Sequence, residues 1–248
     1  MASAMTWLGH ATVLLDIDGT RLLTDPVLGD RIGPLVRIAH SVRLCPSEAL
    51  DGVLLSHLHA DHADVNSLRR VARSLPVLAP RGAGSWLTSL GLHEVHELSP
   101  GDELRVGSLT TRATPAEHGR SRRPLGPKAD PIGHLVLGSR RVYFAGDTDL
   151  FAAMVQLKGL VDVALLPIWG WGRSLGPGHL DPARAAQAAA LISPTSVVPI
   201  HWGTFALARP LRPATDVSLP ARQFAALVRQ RAPGVVVRVL RPSETMEL

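Results

Sequence analysis

Three histidines and one aspartate stand within six positions, directly after the short apolar run 52–55. These residues are His57, His59, Asp61 and His62. In an extended chain, side chains two positions apart point to the same side, so His57 and His59 can present two nitrogens to one cation. Asp61 and His62 follow at a turn, where they can serve a second cation. The spacing predicts a metal site, because a solvated histidine-rich loop would have neither a fixed spacing nor a preceding strand.

Three further predicted strands end beside residues that can bind metals. These residues are His118 after the strand 109–113, Asp147 after 141–145, and His201 after 196–200. Enzymes built on sheets gather their chemistry at strand ends, because the sheet fixes positions while the loops stay free to vary. Each signal is weak alone, and the four segments together predict one metal centre.

Several longer motifs extend from residue 7 to residue 205. They are Trp7-Leu8-Gly9-His10-Ala11-Thr12-Val13, Leu23-Thr24-Asp25-Pro26, Ala145-Gly146-Asp147-Thr148, Gly178-His179-Leu180-Asp181-Pro182 and Ile200-His201-Trp202-Gly203-Thr204-Phe205. With its HxHxDH segment at 57–62, the chain resembles the metallo-β-lactamase fold superfamily. The motifs are similar to those of the branch that contains N-acyl-phosphatidylethanolamine phospholipase D and the ascorbate-phosphate lactonases.

The resemblance implies two divalent metal ions. It assigns His57, His59 and His118 to the first metal, Asp61, His62 and His201 to the second, and Asp147 to a bridge between them. Ligands rich in imidazole favour zinc, with manganese or iron as alternatives. A metal-bound hydroxide would attack phosphorus or a carbonyl carbon, and the second metal would stabilise the developing negative charge.

Other residues are candidates for catalysis and substrate binding. Asp61 could also orient the hydroxide, and His179 is the candidate general acid. The alternative for His179 is a structural residue at the entry of the next helix. Trp169 and Arg173 belong to a tryptophan- and glycine-rich segment that could line the substrate site, although packing is an equally simple role for the tryptophans.

Basic residues cluster in the segment that follows His118. Arg122, Arg123 and Lys128 lie in the proline- and glycine-rich loop 119–133, where they would attract an anionic substrate by focusing the electrostatic field. A solvated loop without a ligand is the alternative.

A few remaining polar residues have simpler expected roles. Asp25 is expected to form a turn or to fix the tautomer of a metal-bound histidine. His10 is expected to support the site or to pack, and Asp149 to support Asp147 or to be solvated. We treat four other histidines as ordinary residues: His40, His93, His96 and His134.

The composition fits one compact enzyme domain over residues 1–248. Apolar residues make up 46% of the chain, enough for a large core. Short apolar strands alternate with predicted helices at 63–75, 183–191 and 221–231, which indicates an α/β fold. The resemblance makes this a four-layer αβ/βα sandwich, the metallo-β-lactamase fold.

The remaining bulk features bear on location and partners. The segment 1–5 has no basic residue, no apolar run approaches the roughly 20 residues of a membrane span, and Cys45 is the only cysteine, so we expect a cytoplasmic protein. The net charge of +5 raises the alternative of a ribonuclease similar to the tRNA 3′-processing members of the superfamily. Nucleic acid is not favoured, because no RNA-binding module is evident. A non-catalytic metal-binding protein is the other alternative.

Overall fold

The computed structural model describes residues 3–40, 49–122, 126–171, 176–208 and 216–248. The strands in these ranges are β1 (Ala4–Gly9), β2 (Thr12–Ile17), β3 (Thr20–Thr24), β4 (Arg31–Ile32), β5 (Leu35–Arg37), β6 (Gly52–Leu54), β7 (Val77–Pro80), β8 (Val95–Leu98), β9 (Glu103–Val106), β10 (Leu109–Pro115), β11 (Ile132–Leu137), β12 (Arg141–Phe144), β13 (Val163–Pro167), β14 (Ser196–Ile200), β15 (Phe205–Leu207), β16 (Val236–Val237) and β17 (Glu244–Glu247). The helices are α1 (Val65–Val71), α2 (Gly84–Ser89), α3 (Pro182–Ile192) and α4 (Leu219–Arg231), with a 3₁₀ helix at Ala152–Leu157.

Most strands belong to two seven-stranded mixed sheets. The first sheet has the order β17-β1-β2-β3-β6-β7-β8, and the second has the order β16-β14-β13-β12-β11-β10-β9. Three of the four strands that precede ligand segments run parallel to a neighbour: β6 to β3, β12 to β13 and β14 to β13, whereas β10, before His118, is antiparallel to both of its neighbours. A small sheet of β15, β5 and β4 lies apart from both.

The side-chain alternation of the strands explains the layers. In β6 and the residue after it, Leu54 packs in the core shared by the two sheets, while Val53 and Leu55 pack with α1 and α2 on the outer face. The same shared core cluster extends to α3 and α4 behind the second sheet, through residues such as Ala185 and Phe224. Helices therefore flank the two sheets, which confirms the predicted four-layer sandwich.

Local capping sets the helix limits. The helix predicted at 63–75 is shorter, because Asp64 caps it by accepting a hydrogen bond from the Ser67 amide and the helical turn ends at Val71. The other two predicted helices each begin earlier than expected. Both have proline in the first turn, where its missing amide costs no hydrogen bond.

The two sheets meet closely at the edge where β6 and β12 end. The Ser56 carbonyl accepts a hydrogen bond of 3.0 Å from the Ile132 amide, and Gly146 packs on the Ser56 side chain. Gly146 has a φ of +61°, and a Cβ at this position would lie 2.3 Å from Ser56 Cβ. Only glycine therefore fits between the segments that carry His57 and Asp147.

We predict that Gly146→Ala destabilises the fold more than Gly159→Ala does. Both glycines have positive φ, so both variants suffer the backbone cost of about 1–2 kcal/mol. A Cβ at Gly159 would meet nothing within 4 Å, so only Gly146→Ala adds the clash with Ser56. Denaturant unfolding followed by tryptophan fluorescence measures the difference. Equal losses in the two variants would show that the edge has room to relax.

Candidate metal centre

The segment after β6 turns sharply and brings its histidines together. The amides of His62 and Ala63 both donate to the His59 carbonyl, at 3.1 and 2.8 Å. The ring centroids of His57 and His59 lie 4.6 Å apart, and those of His57 and His62 lie 4.1 Å apart. The turn therefore gathers the imidazoles at one edge of the sandwich, as the spacing predicts.

A first group consists of His57, His59 and His118. Each of these side chains offers a nitrogen within 4.8 Å of the others. His118 Nε2 lies 2.9 Å from His59 Nδ1. These are the three residues that the resemblance assigns to the first metal.

A second group consists of Asp61, His62 and His201, joined by His10. His62 Nε2 lies 3.1 Å from His201 Nε2, and each of these nitrogens lies 3.5 Å from Asp61 Oδ2. The first three are the residues assigned to the second metal. His10 also belongs to this group, whereas the sequence predicted for it only a role in supporting the site or in packing.

Asp147 lies between the two groups. Its carboxylate oxygens are 3.2 Å from His62 Nε2 and 3.4 Å from His201 Nε2, and it also groups with His118 and His179. Asp147 therefore has members of both groups as neighbours, as the bridging role that the resemblance assigns to it requires.

Each of the five histidines is held by an oxygen at the ring nitrogen that points away from the cluster. The pairs are His57 Nδ1 with Ser56 Oγ, His59 Nε2 with the Ser121 carbonyl, His62 Nδ1 with Asp25 Oδ2, His118 Nδ1 with the Gly178 carbonyl, and His201 Nδ1 with the Trp169 carbonyl. Each oxygen accepts a hydrogen bond from the outer N–H, so the inner nitrogen of every neutral ring carries the lone pair.

The inner atoms fit a cation in both position and chemistry. Two imidazole lone pairs facing each other at about 3 Å repel unless a positive charge lies between them. His57 Nε2 and Asp147 Oδ1 are buried without a hydrogen-bond partner among the described residues. Nitrogen ligands with a few carboxylates are the donor set that zinc prefers.

The pKa shifts differ between the two groups of histidines. Burial lowers the pKa of His118 to about 4, so this ligand is neutral at pH 7. Burial raises the pKa of Asp147, but the charges of His201 and His62 outweigh it and hold that pKa well below the ordinary value. Burial lowers the pKa of His62, but the carboxylates of Asp147 and Asp61 outweigh it and hold that pKa well above its ordinary value, so a metal would displace a proton from this ring. The carboxylates are therefore ionised, as metal ligands must be.

Asp25 and Ser56 support the centre from behind. Asp25 accepts hydrogen bonds from His62 Nδ1 at 2.7 Å and from the Ser56 amide at 2.8 Å. Asp25 has a φ of +32°, as in a turn. Its hydrogen bond with His62 Nδ1 also fixes the tautomer of that ring. Both roles of Asp25 were expected from the sequence, but the role of Ser56, whose hydroxyl contacts Asp25 and His57 together, was not.

His10 lies against the second group. Its Nε2 is 3.0 Å from Asp61 Oδ2, and its ring centroid is 3.8 Å from that of His201. Burial lowers the pKa of His10 to about 3, helped by the charge of His201, so the neutral ring donates to Asp61. His10 therefore both supports the site and packs. By contrast, His134 is a buried histidine that bonds the Leu55 carbonyl, as an ordinary core residue would.

A cleft of about 310 Å³ opens onto the cluster. Its lining residues are His59, Ala60, Asp61, Arg122, Asp147, Trp171 and His179. This volume is at the lower end of the range for small-molecule sites. The N-cap of α3 is Asp181, which bonds the amides of Ala183 and Arg184, so His179 does not cap that helix.

The predicted substrate-binding residues have mixed placements. Arg122 lines the cleft, but it also donates to the carbonyls of Leu58 and Ala63, and its guanidinium lies 4.6 Å above the Trp86 ring. Trp169 packs against the core, whereas its neighbour Trp171 lines the cleft. Arg123 and Arg173 lie outside the described residues. Substrate contact by Trp169, Arg122, Arg123 and Arg173 stays a prediction.

Comparisons with known proteins identify the family. A family model described as a β-lactamase superfamily domain matches residues 20–202. An uncharacterised protein of Mycobacterium tuberculosis is 34% identical in an alignment of 222 positions that covers 83% of this chain and 60% of that protein. N-acyl-phosphatidylethanolamine-hydrolyzing phospholipase D 1 of Caenorhabditis elegans is 31% identical over 81% of this chain and 64% of its own length. The chain thus spans less than two thirds of either relative.

A solved structure gives the same answer. The metallo hydrolase Igni18 of Ignicoccus hospitalis superposes with a TM-score of 0.77 at 27% identity, covering 100% of this chain and 99% of that one. The match to the family model spans most of the chain and includes the HxHxDH segment. The chain therefore belongs to the metallo-β-lactamase superfamily, in the branch of metal-dependent hydrolases related to N-acyl-phosphatidylethanolamine phospholipase D.

Proposed function

We propose that this chain is a hydrolase that binds two divalent metal ions and cleaves a phosphodiester or a lactone in a small or medium anionic substrate. The observation that carries the proposal is the shared orientation of the five histidines. Each donates a hydrogen bond from its outer nitrogen to an oxygen, while the inner nitrogens lie close to one another beside Asp61 and Asp147. A merely structural histidine cluster has no reason to satisfy five outer nitrogens and leave the inner ones facing each other.

The seven assigned residues would hold the metals as the two groups with Asp147 between them. When bound, zinc, or alternatively manganese or iron, supplies Lewis acidity and lowers the pKa of a water molecule so that it can act as the nucleophile. The chain's own residues do the rest. Asp61 faces the cleft and is held by His10, so it would orient the attacking water and accept its proton.

His179 would donate a proton to the leaving oxygen. Its side chain is 20% exposed in the cleft, and its Nε2 lies 3.6 Å from Asp147 Oδ2. It is a cleft-lining histidine that the seven-residue ligand set does not use. Since Asp181 caps α3, the structural role considered for His179 loses its main support.

Three observations support an anionic substrate, with a phosphodiester ahead of a lactone. The cleft has the size for a small ligand, Arg122 stands in its wall, and the chain has a net charge of +5. A related protein bears the name of a phospholipase D, an enzyme class that cleaves phosphodiesters. A lipid substrate is a weaker proposal, and no helix among the described residues is long and apolar enough to cross a membrane.

The alternatives have less support. A ribonuclease of the tRNA-processing kind would use the same ligands, and the basic charge is the feature in its favour. A metal-binding protein without catalysis would need no cleft residue such as His179 beside the ligands. The single-domain organisation over residues 1–248 and a cytoplasmic location stay predictions.

The first test compares two model substrates. We expect the zinc- or manganese-loaded protein to hydrolyse bis(p-nitrophenyl) phosphate with a higher kcat/KM than a simple lactone, and a chelator to abolish both activities. Preference for the lactone would move the substrate to that class. Turnover of neither substrate by protein with two bound metals would contradict the hydrolase proposal for these classes.

His179→Gln is expected to keep both metals and to lower kcat by about 10²–10⁴, the usual contribution of a general acid. Metal content by mass spectrometry and steady-state kinetics on a phosphodiester with an alkoxide leaving group, which must be protonated as it departs, give the two readouts. His96→Gln is the matched control, because His96 is an exposed histidine on β8 that the cluster does not include. Loss of metal in His179→Gln would make His179 a ligand instead.

A further inference from the structure

Asp149 bonds three separate segments around the metal centre. Its amide donates to the Glu117 carbonyl at 2.8 Å, and its Oδ2 accepts from the Gly178 amide at 3.1 Å. Its Oδ1 forms an ion pair with Arg184. One residue thus joins the segment before His118 to the segment before His179 and to α3.

The Gly178 segment in turn orients a metal ligand. The Gly178 carbonyl accepts a hydrogen bond of 2.6 Å from His118 Nδ1. Gly178 has a φ of +82°, and a Cβ there would lie 3.3 Å from His118 Nδ1, so the backbone sits directly on the imidazole. A shift of this segment would therefore release the outer nitrogen of His118 and move His179, the next residue.

Arg184 ties this arrangement to a rigid element. It lies in the first turn of α3, whose inner face is buried in the core, and it also reaches the His179 carbonyl at 3.5 Å. The side chain of Asp149 is 17% exposed and that of Arg184 is 39% exposed. Partial burial makes this pair less screened than a surface ion pair.

We propose that Asp149 is a positioning residue that holds the Gly178–His179 segment against His118. Through this segment it fixes His118 in the tautomer whose Nε2 faces the cluster. The inference rests on the proposed function for the roles of His118 as a ligand and His179 as an acid. It extends the proposed function to Asp149, a residue that does not contact the inner nitrogens of the metal ligands and does not line the cleft.

The test compares Asp149→Ala with Asp162→Ala. Asp162 likewise pairs with an arginine, Arg141, and accepts a hydrogen bond from a backbone amide. It lies just before the start of β13, at the end of this strand that is away from the metal centre. Long-range ¹H–¹⁵N spectra of metal-free protein labelled at histidine report the Nδ1 proton of His118, assigned with His118→Gln. We expect this signal to be lost or to exchange at least about tenfold faster in Asp149→Ala, and to be unchanged in Asp162→Ala.

Zinc titration gives the second readout. The dissociation constant should rise about tenfold in Asp149→Ala, the lower end for residues that orient a metal ligand. Arg184→Gln should change both readouts in the same direction but less, and it serves if Asp149→Ala does not fold. An unchanged His118 signal and zinc affinity in Asp149→Ala, or equal changes in Asp162→Ala, would overturn the proposal. If the wild-type protein binds none of zinc, manganese and iron(II), the proposed function fails and the spectra alone decide the role of Asp149.

Discussion

The repulsion between inward-facing lone pairs and carboxylates at one buried edge is the constraint on which this structure depends. The inner nitrogens of His59 and His118, whose pKa values are lowered by burial, face each other as lone pairs at 2.9 Å. The 3.1 Å contact of His62 with His201 is relieved by a proton, because despite burial the neighbouring carboxylates raise the pKa of His62. Without a cation, the rest of the fold must hold this arrangement, because these contacts do not themselves stabilise the folded state. Metal ions would turn the same contacts into the strongest local stabilisation, so binding and folding stability should be linked.

The fold meets this constraint with backbone that few side chains tolerate. Asp25, His10 and His201 have φ values of +32°, +54° and +63°. Each such conformation costs on the order of 1–3 kcal/mol, and all three residues contact the second group. The His201 amide donates to the His10 carbonyl, so the two strained residues support each other. Three of the six described non-glycine residues with positive φ therefore belong to the second group or contact it.

The sequence predicted much of the centre and less of its surroundings. The HxHxDH segment, Asp147 and His201 each follow a strand. Strand periodicity and residue spacing are local signals that can be recognised in a single sequence. The contact of Asp25 with His62 spans 37 positions, and that of His118 with Gly178 spans 60. Such contacts depend on how the sheets fold together, so residue types alone left Asp25 with two roles and gave no role to Ser56. Helix α1 was predicted too long at both ends, because the helix begins after the N-cap at Asp64 and ends before the C-cap at Ala72.

Anomalous X-ray scattering at the zinc edge, on crystals of protein purified with zinc, tests the central claim most directly. Two peaks are predicted per chain, one among His57, His59 and His118 and one among Asp61, His62 and His201, both beside Asp147. Asp147→Asn should lose at least one peak, whereas Asp51→Asn, at the opposite end of β6, should keep both. A single peak in the wild type, a peak ligated by His10 in place of His62, or full occupancy in Asp147→Asn would contradict the account.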